Sequence, residues 1–239
     1  MAKIIAVVPA RAGSKGILRK NLKKLGKEPL INYILHSLLE IKKIDRIIVS
    51  TEDLEIKNHC LKIDENIEVM DRPHKLADDK TPLTSVVHHV SQELNRNKEY
   101  HDFVLQVAAT CPFIKTKSLI SIVKTLTQKK SNCVVTLKRI EHEHPYRAKI
   151  LKKNNTFSHF IKNINVEKYI SRQDLPELYC TSGSVYGRSF QLLKNFTHKD
   201  FCLGKKPYGI VLDDIESINI DRMIDFQFAE FIIKNNLYR

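Results

Sequence analysis

The chain contains no tryptophan, and its five cysteines (Cys60, Cys111, Cys133, Cys180, Cys202) are scattered and odd in number. None forms a Cys-x-x-Cys pair, which argues against a disulfide frame or a zinc site and for reduced thiols in a cytoplasmic protein. No apolar run approaches the ~20 residues needed to span a bilayer, so no membrane partner is expected. The apolar opening Met1–Ala10 lacks a basic leader and runs straight into Arg11, so a first buried strand explains it better than a signal peptide. Internal repeats and low-complexity tracts are missing too, which leaves little room for disorder.

What remains is 239 residues, 42% of them hydrophobic, enough for one large domain with a smaller lobe. The formal net charge is +13. A basic chain attracts anions, nucleic acid among them. The lysines, however, are spread along the whole length beside Asn and Ile, as on solvated helix faces. A polyanionic nucleotide fits the charge equally well, and nucleic acid is not the expected partner.

Short β-rich runs alternate with longer amphipathic stretches. Lys3–Val8, Arg46–Ser50, Ile67–Met70, Phe103–Val107 and Asn132–Leu137 read as strands. Pro29–Ile41, Leu54–Lys62, Thr81–Arg96 and Ser118–Lys129 carry apolar residues at helical spacing, with Pro29 and Pro82 near helix starts. This alternation predicts an α/β fold, a Rossmann-like, mostly parallel sheet flanked by helices, with ligands beyond the carboxyl ends of its strands. From about Arg139 to Leu178 the rhythm breaks around Pro145 and an Asn154-Asn155 turn, as in a small inserted lobe. Strand pattern returns at Ser184–Tyr186 and Tyr208–Leu212. The chain closes with a helix from about Met223 to Asn235, where Ile224, Phe228, Phe231 and Ile232 make one apolar stripe.

The stretch Pro9-Ala-Arg-Ala-Gly-Ser-Lys-Gly-Ile-Leu-Arg-Lys-Asn21 follows the first strand directly. Gly13 and Gly16 can adopt φ > 0 and expose backbone N–H groups to an anion. Arg11, Lys15 and Lys20 would neutralise a triphosphate, and Ser14 can donate a hydroxyl hydrogen bond. The spacing is neither G-x-G-x-x-G nor G-x-x-x-x-G-K-[ST], which disfavours a dinucleotide fold and a P-loop.

The string PARAGSKGILRKN, with GKEPLINY soon after, resembles the signature of the acylneuraminate cytidylyltransferases, the CMP-sialic acid synthetases and their relatives. DRIIVSTEDLEI, DRPHKLADDKTP, ATCPF, SRQDLPELYCTSGSVY and SINIDRMIDFQFAE resemble further family segments in the same order, from residue 4 to about 232. The resemblance implies in-line attack by the anomeric hydroxyl of an acidic nine-carbon sugar on the α-phosphorus of CTP, with pyrophosphate leaving and Mg²⁺ as cofactor. It implies that Ala10, Arg11, Gly13, Ser14, Lys15, Lys20, Asn21 and Arg72 bind nucleotide, with Arg11, Lys20 and Asp221 catalytic. Arg72 has the alternative of a surface ion pair with Asp71 or Asp78. Arg172 would grip the sugar carboxylate, a task suited to a planar guanidinium, and Arg147, after His144-Pro145, falls where a relative has a cationic residue near the sugar. Tyr186 and Phe201 would wall the sugar or belong to plain core. The lobe about 139–178 exchanges with a second subunit in the family, so a homodimer is implied.

Two departures stand out. Relatives carry Asp-x-Asp where this chain has Asn219-Ile-Asp221; alternation still places both side chains on one face, and Asn219 can offer a neutral oxygen beside the Asp221 ligand. Many relatives have Q-P-T-S-P-L-R where this chain has Ala108-Ala-Thr-Cys-Pro-Phe-Ile114, so a cousin such as legionaminic or pseudaminic acid is a reasonable substrate. Asp213 and Asp214 read as a solvated turn, and Glu141-His-Glu-His144 as a polar loop, since no third metal ligand has recognisable spacing. Rival readings are another sugar-acid nucleotidyltransferase, for example one using an octulosonate, and a nucleotide- or nucleic-acid-binding protein without catalysis.

Overall fold

A computed structural model describes residues 2–13, 16–128, 131–163, 165–198 and 200–238. In chain order the elements are β1 (Ile4–Pro9), β2 (Lys24–Leu25), β3 (Glu28–Pro29), α1 (Leu30–Leu39), β4 (Arg46–Thr51), α2 (Leu54–Cys60), β5 (Ile67–Asp71), α3 (Leu83–Arg96) and β6 (Phe103–Val107). There follow α4 (Thr116–Thr127), β7 (Cys133–Arg139), β8 (Lys149–Leu151), β9 (Phe157–His159), β10 (Tyr179–Ser189), α5 (Phe190–Lys194), β11 (Tyr208–Val211) and α6 (Met223–Lys234).

Seven strands form one sheet in the order β11-β7-β10-β6-β1-β4-β5. Neighbours pair in parallel except β10, which runs antiparallel between β6 and β7. All six residues of β1 are buried, as its unbroken apolar sequence requires of a central strand covered on both faces. One face packs Ile4, Ala6 and Val8 against Ile31, Ile34 and Leu38 of α1 and Leu119, Ile122 and Leu126 of α4. The other packs Ile5 and Val7 against Val87, Val90 and Leu94 of α3 and Leu193 of α5. Pro29 and Pro82 each immediately precede a helix, and Asp53 caps α2 by accepting from the Ile56 N–H at 2.8 Å.

Between β7 and β10 the chain leaves the sheet for a small, exposed β8–β9 hairpin whose turn holds Asn155 in the left-handed region. Three expectations change. The strand read at Ser184–Tyr186 is the middle of an eleven-residue β10. The fourth helix starts earlier than expected, at Thr116, and Lys129 lies outside the described residues. In α6 the buried residues are Phe226, Ala229 and Ile232, while Ile224, Phe228 and Phe231 are more than half exposed. The helix is apolar on two faces, and the one bearing Phe226 meets Ile17, Leu25, Leu30 and Phe113.

Candidate active site

A cleft of about 470 Å³ opens beyond the carboxyl ends of β1 and β6. Its lining includes Arg11, Lys20, Asn21, Arg72, Asn219 and Asp221, drawn from distant parts of the chain. The geometry follows from the winding. Parallel strands deliver their following loops to one edge, and the segment before α6 is drawn to that edge when the Ile220 N–H donates to the Thr110 carbonyl at 2.9 Å.

The loop after β1 is built from inside. The Ala10 N–H donates to Ser50 O at 2.9 Å, Ala12 N–H to Glu52 Oε1 at 2.9 Å, and Asn21 Nδ2 to the Arg11 carbonyl at 3.0 Å. Ala10 is therefore a buried hinge of the loop and Asn21 its brace. Gly13 adopts no positive φ, so the conformational freedom expected of it is not used. Gly16 is needed instead because the Asp221 main chain presses on it, whereas Gly13 has open space around it. Ser14 and Lys15 lie outside the described residues.

Each cation in the cleft faces a carboxylate. Arg11 Nη1 meets Asp79 Oδ1 at 2.6 Å, and Lys20 Nζ lies 3.1 Å from Asp221 Oδ1 while donating to the Ile220 carbonyl at 2.5 Å. Lys20 is buried, but the Asp221 side chain is 65% exposed towards the opening. Arg72 is neither on the surface nor paired with Asp71 or Asp78. It is buried, donates to the Ser50 carbonyl at 2.6 Å, and lies 3.8 Å from Glu52, with its Nε unsatisfied. Burial pulls its guanidinium below the ordinary arginine value and Glu52 pushes back. Asn219 Nδ2 donates to Asp221 Oδ2 at 3.0 Å, leaving Asn219 Oδ1 buried with no donor. An orphaned acceptor beside a carboxylate is a donor set suited to a hard cation such as Mg²⁺.

Other expected residues stand apart from this cleft. Arg172 pairs with Glu141 and Arg147 donates to the Ile170 carbonyl at 3.0 Å, both in the lobe. Tyr186 lies under the buried Arg188 guanidinium, which sits 4.8 Å from its ring centroid, and the Phe201 ring is 74% exposed. Asp213 accepts from Lys115 at 2.7 Å, so it is a structural ion pair more than a free turn. His144 is buried and bonds the Pro176 carbonyl and the Tyr146 N–H, which makes it part of the lobe's frame. Cys111, under the cleft floor, has its thiol pushed up to about 11 by burial and is no nucleophile. The roles of Glu52 and Asp79 were not anticipated. Their one signal is position, just past β4 and β5 on the ligand-binding edge.

The family model for cytidylyltransferases matches residues 5–218. The pseudaminic acid cytidylyltransferase of Campylobacter jejuni is 30% identical, over 98% of this chain and 97% of that protein. The N-acylneuraminate cytidylyltransferase of Escherichia coli is 28% identical, over 95% of this chain and 51% of that longer protein. Among solved structures, CMP:2-keto-3-deoxy-manno-octonic acid synthetase complexed with CTP shares the fold at a TM-score of 0.72 and 13% identity, covering 98% of this chain and all of that one. With its sheet order, its cleft and these matches, the chain belongs to the cytidylyltransferase family, beside the acylneuraminate and pseudaminic acid cytidylyltransferases.

Proposed function

We propose that the chain transfers CMP from CTP to the anomeric hydroxyl of a sialic-acid-like nonulosonic acid. The new bond joins the sugar oxygen to the α-phosphorus, the α–β phosphoanhydride breaks, pyrophosphate leaves, and the hydroxyl proton is released. The observation that carries this reading is the convergence of Lys20 and Asp221 in one cleft at the mouth of a parallel sheet, 3.1 Å apart although 201 positions separate them in sequence.

Catalysis of this kind is mostly positioning and charge stabilisation. Lys20 is held in low dielectric by its own burial, where a fixed positive charge acts strongly on the phosphate carrying developing negative charge. Arg11 would exchange Asp79 for phosphate oxygens. Arg72, which lines the cleft, would read the pyrimidine edge. Asp221 and Asn219 would hold Mg²⁺, which when bound neutralises phosphate charge and lowers the pKa of the attacking hydroxyl. Reduced thiols and a CTP substrate fit a cytoplasmic enzyme.

Leu83, Val86, Ala108 and Ala109 are the apolar residues we assign to the acceptor among those lining the cleft. Small apolar side chains suit a sugar acid bearing acyl and deoxy groups, which favours pseudaminic or legionaminic acid over N-acetylneuraminic acid. Among the described residues, the cleft of a single chain contains no cation from the lobe, while the lobe exposes Leu151, Phe157, Phe160 and Ile170. A homodimer would cover these side chains and bring a second chain's Arg147 and Arg172 to the acceptor.

The test is pyrophosphate release from CTP and Mg²⁺ with a panel of pseudaminic, N,N'-diacetyllegionaminic, N-acetylneuraminic and 3-deoxy-octulosonic acids. Turnover with a nine-carbon acid supports the reading. Turnover with the octulosonic acid alone would move it to the neighbouring activity, and no turnover with any would refute it.

A further inference from the structure

Arg188 is the largest fully buried side chain among the described residues, 1% exposed in the middle of the apolar layer between the sheet and α3. Alternation along β10 fixes its direction. Gly187 faces Leu105, Ile122 and Leu126 on the α4 side, where a β-carbon would lie 2.6 Å from Leu126, so Arg188 must point to the opposite face.

There it binds neutral oxygens alone among the described residues. Nε donates to the Cys202 carbonyl at 2.8 Å, Nη1 to Gln106 Oε1 at 3.0 Å, and Nη2 to the Phe201 carbonyl at 3.0 Å and Thr84 Oγ1 at 3.3 Å. The Tyr186 ring covers one face. A buried charge that hydrogen-bonds no carboxylate is costly, even with Asp200 near enough to favour it. What the rigid fork of arginine supplies, and Leu or Met does not, is simultaneous hydrogen bonding to separate segments.

Those segments share one feature. Thr84 sits between Leu83 and Val86, which line the cleft; Gln106 lies two residues ahead of Ala108 and Ala109, which line it too. The third segment is a strap, residues 196–198 and 200–202, with Ser85 Oγ of α3 and His198 Nδ1 3.0 Å apart and with His198 and Cys202 both in the left-handed region that non-glycine residues avoid. Arg188 Nη2 donates both to the Phe201 carbonyl and to Thr84 Oγ1, so the strap and the first turn of α3 meet at one nitrogen.

We propose that Arg188 is a positioning residue for the sugar acceptor: it locks the strap, the start of α3 and the end of β6 together, and so fixes the apolar side of the cleft where the sugar acid docks. The inference rests on the synthetase reading above. Arg188 touches neither substrate; it acts through Thr84, Gln106 and Phe201.

The test uses the full chain and, from the same panel, the acid with the highest kcat/KM. Arg188→Met should raise the KM for the sugar acid about tenfold while leaving the KM for CTP within about twofold, and Arg188→Lys should recover part of the loss. Since the chain has no tryptophan, Phe201→Trp gives a single fluorophore. Its emission should shift on addition of the sugar acid with CTP present, and should not shift in the Arg188→Met background. If Arg188→Met fails to fold, Thr84→Val removes one contact isosterically and should give the same split, about threefold. Equal changes in both KM values, no change in either, or an emission shift that persists unaltered in the Arg188→Met background would overturn the role while leaving the synthetase reading intact. Absence of turnover by the unsubstituted chain would overturn that reading first.

Discussion

Gly16 packs directly on the main-chain carbonyl of Asp221: a β-carbon at residue 16 would lie 2.1 Å from that oxygen. The loop that carries the cations and the segment that carries the acid are thus seated on each other, backbone to backbone, and neither yields as a side chain would. Gly16→Ala should push the two apart at a cost of about 1–3 kcal/mol, lowering kcat/KM for CTP about tenfold or more. Circular dichroism and CTP kinetics on the purified variant check this; an alanine variant with unchanged kinetics would mean that the two segments need not touch.

Asn219 offers a buried oxygen without a donor beside Asp221. Asn219→Asp restores a second carboxylate and should lower the Mg²⁺ concentration for half-maximal activity on the order of tenfold. Asn219→Ala should raise it. A Mg²⁺ titration that does not change in either variant would remove residue 219 from the metal site.

Arg172 and Lys20 belong to separate regions of one chain. If sites are shared between subunits, Arg172→Ala and Lys20→Ala, each inactive alone, should regain up to about a quarter of full activity after mixing and subunit exchange, because mixed dimers hold one intact site. Mixed samples as inactive as the separate ones would place both residues in one subunit's site.

Stability should fall on mild acidification. Burial holds His59, His88, His89 and His101 below the ordinary value of 6.5, so the folded chain keeps them neutral while the unfolded chain protonates. In His101 burial is the main cause: a carbonyl cannot donate, so Nδ1–H donates to Glu99 O, the neutral ring's Nε2 accepts from the Ser91 hydroxyl, and a second proton would be a charge held away from water. Their contribution is complete above about 6.5 and is lost progressively as pH falls below it, through the depressed folded values. Melting curves between about pH 7.5 and 5 should show Tm dropping, and His101→Asn should flatten the slope.

Much of the site was legible in the chain because its chemistry sits in contiguous strings. Arg11, Lys20 and Asn21 lie within one loop after an unmistakable strand, and Asp221 precedes a helix with a clear start. The same strings were silent on partners: nothing in the spacing told that Asp79 faces Arg11 or that Glu52 supports both Ala12 and Arg72, since these contacts arise only when two parallel strands deliver their loops to one edge. β10 was underestimated because Gly183, Gly187 and several polar residues interrupt its alternation, and its antiparallel course is a property of the sheet. In α6 two apolar faces competed, and the local pattern could not say which would meet Ile17 and Phe113. Arg188 was invisible for the simplest reason: a hydrophobicity reading places arginine outside.

The most direct measurement follows the α-phosphate itself. CTP labelled at the α-phosphorus, incubated with Mg²⁺ and a nonulosonic acid, should deliver its label to a CMP-sugar with one pyrophosphate released per transfer, and Lys20→Ala should slow this on the order of 100-fold or more. Label that stays in CTP with every acid tested, or transfer that Lys20→Ala leaves untouched, would contradict the account.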